Sequence, residues 1–239
     1  DTNSALSLIN ARRMKIPTFH IEAGDRSFDI NVPEELNRKL VDHTANINIA
    51  YTEYSRRNLL SEGIHPSKIF VCGSPINEVY ESIKGKIENS PIMSNLKLNK
   101  QKFIVASIHR EENVDSNTAL EKMVDTYEKL FEHFKLKIIV STHPRTKKRL
   151  YEQNLIKDSH NERIIWHEPF GLLDFLSLQI NSLFVVSDSG TIHEDSCILG
   201  FPAVAIRKSS EKYECIDSGF CPFSGLEFEN ILPCIKMCI

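Results

Sequence analysis

The sequence predicts an α/β protein of two domains, each built on a parallel sheet. Three observations carry this. Strand-like and helix-like segments alternate along all 239 residues. The strand-like segments are near-continuous Val/Ile/Phe runs, the pattern of strands buried on both faces by helical crossovers. A polar, aperiodic stretch, KGKIENSPIMSNLKLNKQ (84–101), then separates two such blocks and reads as a linker in its middle. The expected domains are therefore 1–90 and 91–239.

In order, residues 3–14 read as a helix with Ala5, Leu6, Ile9 and Ala11 near one face, and TFHIE (18–22) as a short strand. Pro33, well suited to a first helical position, opens a helix through about Thr44. INIAYT (47–52) is a strand, YSRRNLLSEG (54–63) a helix ended by glycine, and KIFVCG (68–73) a strand. The second block gives strands at 102–108, 137–142, 163–168, 182–188 and 202–207, with helices at 117–135, 145–154, near 170–178 and at 190–199.

Composition excludes several functions. A net charge of −3 provides no basic field for nucleic acid. No run approaches the ~18–20 apolar residues of a membrane helix, and the opening DTNSALSLINARRMK lacks the basic start and apolar core of a signal peptide. The six cysteines, Cys72, Cys197, Cys215, Cys221, Cys234 and Cys238, form no CxxC and have no histidine in their terminal cluster. They read as reduced thiols of a cytoplasmic protein rather than as a metal site. The chain opens on Asp1, not methionine.

Ligands of open parallel sheets bind beyond the carboxyl ends of the strands, and there the informative polar residues fall. Ser187-Asp188-Ser189-Gly190 lies between a strand and a helix, where backbone N–H groups attract a phosphate and where Ser189 equally serves as an N-cap. It lacks the Walker lysine and the full dinucleotide glycine pattern. His109, with Arg110, Glu111 and Glu112, follows another strand; it suits proton transfer or a diphosphate contact, and a solvated surface histidine fits the pattern as well. His143 and Arg145 flank Pro144 in a similar position. Glu22 precedes Ala23-Gly24 at a strand end. Glu34 and Glu35 open a helix, where the dipole and the pairs Glu34–Arg38 and Glu35–Lys39 explain them as well as an acid/base role does.

Taken together, DTNS, HIEAGDRSFD, VPEELNRKLVDH, GSPINEV, SIHREENVD, STHPRT, EPFGLLDF and SDSGTIHED occur in this order. Across roughly 1–212 they resemble the non-hydrolysing UDP-N-acetylglucosamine 2-epimerase family. The resemblance implies two Rossmann-like domains in the GT-B arrangement, the first of them incomplete, because family members carry a strand and a basic diphosphate-gripping loop ahead of the DTNS motif. It implies epimerisation at C2 of a UDP-linked 2-acetamido sugar through elimination and re-addition of UDP, in a homodimer, with no metal, no other cofactor, no nucleic acid and no membrane. Its catalytic residues fall on Asp1, Glu22, Glu34 and His109. Substrate contacts fall on Arg110, Glu112, His143, Arg145, Phe170, Ser189, Gly190, Glu194, Asp195 and Lys212. The DRSFDINVPEELNRKLVDH stretch looks like the capsule or O-antigen branch, which includes UDP-N-acetyl-L-fucosamine synthesis. A GT-B glycosyltransferase would share the cleft but needs no acid/base set at C2. A non-catalytic remnant is the third reading.

Two departures stand out against the family pattern. Asp195 replaces a second glutamate, and Glu211-Lys212-Tyr213-Glu214 replaces ERPE, exchanging an arginine fork for a lysine. From about 213 the cysteine-rich tail does not resemble the family and reads as atypical, as a shifted reading frame would produce.

Overall fold

The structure, a computed structural model, describes residues 2–108, 116–156, 162–207 and 210–239. The chain forms two compact units, Asp1–Glu78 with Ser209–Glu214, and Val79–Lys208 with Cys215–Ile239. Among the described residues all sheet pairing is parallel. Strands of the second unit are largely buried as the apolar runs predict, whereas Phe19, Ile21, Phe70 and Val71 of the first are exposed.

The first unit runs α1 (Thr2–Arg13), β1 (Phe19–Ile21), α2 (Pro33–Thr44), β2 (Ile47–Ala50), α3 (Glu53–Ser61), a 3-10 turn at Pro66–Lys68 and β3 (Ile69–Val71). Its strands lie in the order β1-β2-β3, Phe19 opposite Ile47 and Ile49 opposite Phe70. α2 begins at Pro33 with Glu34 and Glu35 in its first turn, where the helix dipole favours acids. α3 is capped by Thr52, whose Oγ1 accepts from the Ser55 amide at 3.2 Å. Ala23, Ala50, Leu59, Ile64 and Ile69 form a small core under the sheet.

One glycine there is required by space. Gly24 follows β1 with φ +87°, and a Cβ on it would meet the Ser55 carbonyl oxygen at 2.2 Å. Strain and overpacking combine, so Gly24→Ala is expected to cost about 3 kcal/mol. A urea midpoint within error of wild type would contradict this.

The second unit takes most of α4 (Ile76–Glu88), which carries the chain across from the first, and then α5 (Ile92–Asn95), β4 (Phe103–Ile108), α6 (Asn117–Phe134), β5 (Lys137–Thr142), α7 (Pro144–Glu152), β6 (Ile164–His167), α8 (Leu172–Asn181), β7 (Val185–Ser187), α9 (Ile192–Leu199), β8 (Ala203–Ile206), most of α10 (Tyr213–Asp217), β9 (Phe223–Ser224) and α11 (Phe228–Cys238). The strand order is β6-β5-β4-β7-β8-β9. Counted from β4 this is 3-2-1-4-5-6, the doubly wound order whose reversal lies between β4 and β7. Every residue of β4 is buried, and its alternation divides the core. Ile104, Ala106 and Ile108 face a cluster that includes Leu120, Tyr127 and Ile235; Phe103 and Val105 face one that includes Ile92, Leu178 and Phe201.

Two expectations need correction. The 84–101 stretch is not a loose linker: α4 runs to Glu88, Ile87 and Ile92 are buried, and Met93, Leu96 and Leu98 pack on the second core. Its polarity reflects an exposed outer side, and the Ser90 hydroxyl donates to Asp174 Oδ1 at 2.6 Å. The tail from about 213 is an ordered part of the second unit, with Ile231 and Ile235 of α11 buried in its core and the Thr126 hydroxyl donating to the Leu226 carbonyl at 2.6 Å. All six cysteines are free thiols, and among the described residues no helix is long and apolar enough to cross a membrane.

Candidate active site

In the first unit the chemistry gathers at the end of β1. Glu22 is the first residue past the strand and adopts φ +66°, a left-handed conformation costly for a residue with a Cβ and typical of functional positions. Its side chain is 52% exposed while Oε1 accepts from Lys212 Nζ at 3.2 Å. Lys212 is buried and donates also to Asp25 Oδ2 at 2.7 Å, with its ammonium 5.7 Å from the centre of the Tyr51 ring. The Ser55 hydroxyl donates to the other Asp25 oxygen at 2.6 Å. One ammonium thus ties an exposed carboxylate to a buried one. Glu214, from the same returning segment, is pushed above the usual carboxylate range by burial.

Behind this lies an ionic network. Arg26 is fully buried; its guanidinium lies 2.7 Å from Asp42 Oδ2 and donates twice to Glu62, from Nε at 2.8 Å and Nη2 at 2.7 Å. Burial acts against the charge, but the bonds to Glu62 and Asp42 outweigh it and hold the guanidinium above its ordinary value. The Arg26 hydrogen bond in turn holds Glu62 below the usual carboxylate range. Asp42 also binds His20 Nδ1 through Oδ1 at 2.6 Å and accepts the Gly24 amide at 3.2 Å through Oδ2. Glu34, exposed in the first turn of α2, lines a cavity of about 350 Å³ together with His20 and Arg38. Its neighbour Glu35 is buried and accepts from the Ser27 amide at 2.9 Å, a structural task.

In the second unit the focus is the strand-order reversal. Ser107 of β4 faces Ser187 of β7, both buried, with Oγ–Oγ 2.7 Å. Asp188 follows, fully buried, and the Ser189 amide donates to Ser187 Oγ at 3.0 Å. Ser189 is not the cap of α9. That position belongs to Thr191, which makes no side-chain cap bond and donates its hydroxyl to Asp195 Oδ2 at 2.8 Å. Ser189 Oγ accepts the Thr191 amide at 3.4 Å, and the positive end of α9 stands at the reversal, where a doubly wound sheet binds phosphate. Asp195 faces inward: the Tyr80 hydroxyl donates to Oδ1 at 2.5 Å, and burial raises both the Asp195 carboxyl and the Tyr80 phenol. Phe170 stacks on His167 with centroids 4.1 Å apart and planes at 11°. His143 and Arg145 are exposed at the start of α7, where His143 Nδ1 accepts the Arg145 amide at 3.2 Å.

A family model described as UDP-N-acetylglucosamine 2-epimerase matches residues 1–239. The chain belongs to this family.

The match includes the tail beyond 213, which the sequence reading had set apart. The UDP-N-acetylglucosamine 2-epimerase of Methanocaldococcus jannaschii is 38% identical over 99% of this chain, which spans 66% of that protein. A Pseudomonas aeruginosa relative named UDP-2,3-diacetamido-2,3-dideoxy-D-glucuronate 2-epimerase is 30% identical over 92% of the chain, which covers 60% of its length. Among solved structures, the Rickettsia bellii UDP-N-acetylglucosamine 2-epimerase is 40% identical with a TM-score of 0.89, covering all of this chain and 62% of its own. The M. jannaschii epimerase, solved with UDP-GlcNAc and UDP, gives 36% and 0.88, covering all of this chain and 67% of its own.

For this 2-epimerase family member, the residues expected from the motifs divide three ways. Glu22 and Lys212 meet at one point of the first unit, and Glu34 lines its cavity. Phe170, Ser189, Gly190, Glu194, Asp195, His143 and Arg145 all belong to the second unit. Asp1, His109, Arg110 and Glu112 lie outside the described residues. Sequence reading passed over His20, Asp25, Arg26 and Asp42. HIEAGDR contains three of them, but a motif does not reveal that Asp42, on another element, holds His20 and Arg26, nor that Asp25 meets Ser55 and Lys212.

Proposed function

We propose that this chain carries the C2 epimerisation of a UDP-linked 2-acetamido sugar. The observation that carries the reading is the Glu22 carboxylate, held exposed in a left-handed backbone conformation and tied to the buried Lys212, in a chain matched to the family over its whole length. An exposed carboxylate fixed by a buried cation suits proton transfer. At the sugar, the C2–H bond breaks, its electron pair forms a C1=C2 double bond, and the C1–O bond to UDP breaks. Re-addition of UDP and return of a proton on the other face complete the reaction. Glu22 and Glu34, with Asp1 and His109, are the acid/base set. The α9 end after Ser189-Gly190, with Phe170 and Glu194, is assigned to the UDP, and Arg110, Glu112, His143 and Arg145 to its vicinity.

We read Lys212 as holding Glu22, whose Oε1 accepts from its ammonium, and Asp195 as shaping its loop through its bonds with Thr191 and Tyr80. The sugar belongs to capsule or O-antigen precursor synthesis, on the likeness of the 25–43 stretch to that branch. A cytoplasmic homodimer follows from the family resemblance, and the six free thiols agree with a reducing compartment. Incubation with UDP-N-acetylglucosamine followed by proton NMR tests the reading. Signals of the manno epimer support it, and an unchanged substrate at high protein concentration contradicts it for this chain.

A further inference from the structure

His20 lies two residues before Glu22 on β1, and the reaction as written above does not use it. Its Nδ1 is 2.6 Å from Asp42 Oδ1. Asp42 is buried, and its other oxygen takes the Gly24 amide at 3.2 Å and Arg26 Nη2 at 2.7 Å. The carboxylate offers only acceptors, so the proton of a neutral His20 ring belongs on Nδ1 and Nε2 keeps its lone pair. Among the described residues Nε2 has no hydrogen-bond partner, and the ring, 19% exposed, borders the cavity of about 350 Å³ lined also by Glu34, Arg38 and Ser4.

That cavity lies within the size range of small-molecule sites. Its polar lining comprises Ser4, His20, Glu34, Asn37 and Arg38, and the Arg38 guanidinium is already paired with Glu211 at 3.3 Å. With that guanidinium matched by Glu211, the Glu34 carboxylate and an imidazole acceptor suit a ring bearing several hydroxyls better than a phosphate. We propose that His20 touches substrate: Nε2 accepts a hydrogen bond from a sugar hydroxyl, and Asp42 is the positioning residue that makes it an acceptor. The proposal rests on the nucleotide-sugar reading above.

The test separates the two. Long-range proton–nitrogen NMR on the full chain is expected to show His20 as the Nδ1–H tautomer. UDP-N-acetylglucosamine should move the Nε2 signal, whereas UDP alone should leave it in place. His20→Asn keeps an N–H where Nδ1 meets Asp42 but lacks Nε2. It should unfold at the wild-type midpoint, bind UDP as wild type does and bind the nucleotide sugar about tenfold more weakly. A purely structural histidine predicts unchanged sugar binding in this variant. An Nε2–H tautomer, or UDP binding with no response of Nε2 to the nucleotide sugar, overturns the proposal and leaves the nucleotide reading standing. If neither compound binds, both fall. Should His20→Asn fail to fold, the tautomer and the Nε2 response in the wild-type chain still decide.

Discussion

Glu22→Gln is expected to slow C2 proton exchange by roughly 10²–10⁴-fold, the range that a positioned acid or base supplies. The fold should tolerate this change unusually well for a residue at φ +66°. Glutamine keeps a carbonyl oxygen where Glu22 Oε1 accepts from Lys212, and the side chain is already 52% exposed. What disappears is the capacity to hold a proton. Exchange rates measured alongside urea unfolding therefore isolate chemistry from stability. Loss of exchange at an unchanged midpoint supports Glu22 as acid or base. Exchange within a few-fold of wild type removes it from that role.

Arg26→Met carries the largest expected effect on stability, about 3–5 kcal/mol, because it leaves a buried charge without its partner. Arg26 and Asp42 are both fully buried, and their separation is 2.7 Å. Asp42 would keep His20 and the Gly24 amide but lose its cation. A shift of the urea midpoint worth less than about 1 kcal/mol would show that the pair contributes little beyond what a packed apolar side chain supplies. The same network sets a pH dependence. Arg26 lowers the Glu62 carboxyl in the folded state, so the stability from Glu62 is complete above the unfolded value of about 4.3. It is lost as pH falls through the lower folded value, and the Arg26→Met variant should lack this part of the acid loss.

Much of the fold was legible because burial and helix starts leave local marks. Pro33 placed the start of α2, and the run at 102–108 gave β4 as Phe103–Ile108. Elements whose cues are contextual were not legible. α5 is four residues long, and Ser90, Ile92 and Leu96 show no periodicity to distinguish packing from a linker. α11 contains Pro233, which cannot donate to the helix ladder, within a stretch otherwise marked by cysteines. The strand-end rule drew attention to Glu22 and to the loop at 187–190, both of which the structure places at or just past the ends of parallel strands. It could not tell that Lys212 turns toward Glu22, nor that the Asp195 carboxylate turns toward Tyr80. Those depend on partners 190 and 115 residues distant in the chain.

The most direct measurement is solvent exchange at C2. The chain is incubated in deuterium oxide with UDP-N-acetylglucosamine, and the C2 proton is followed by NMR and mass spectrometry. Elimination and re-addition predict that one deuterium enters at C2, in product and in recovered substrate, and that Glu22→Gln suppresses it. Release or transfer of the sugar with the C2 proton retained would contradict the account.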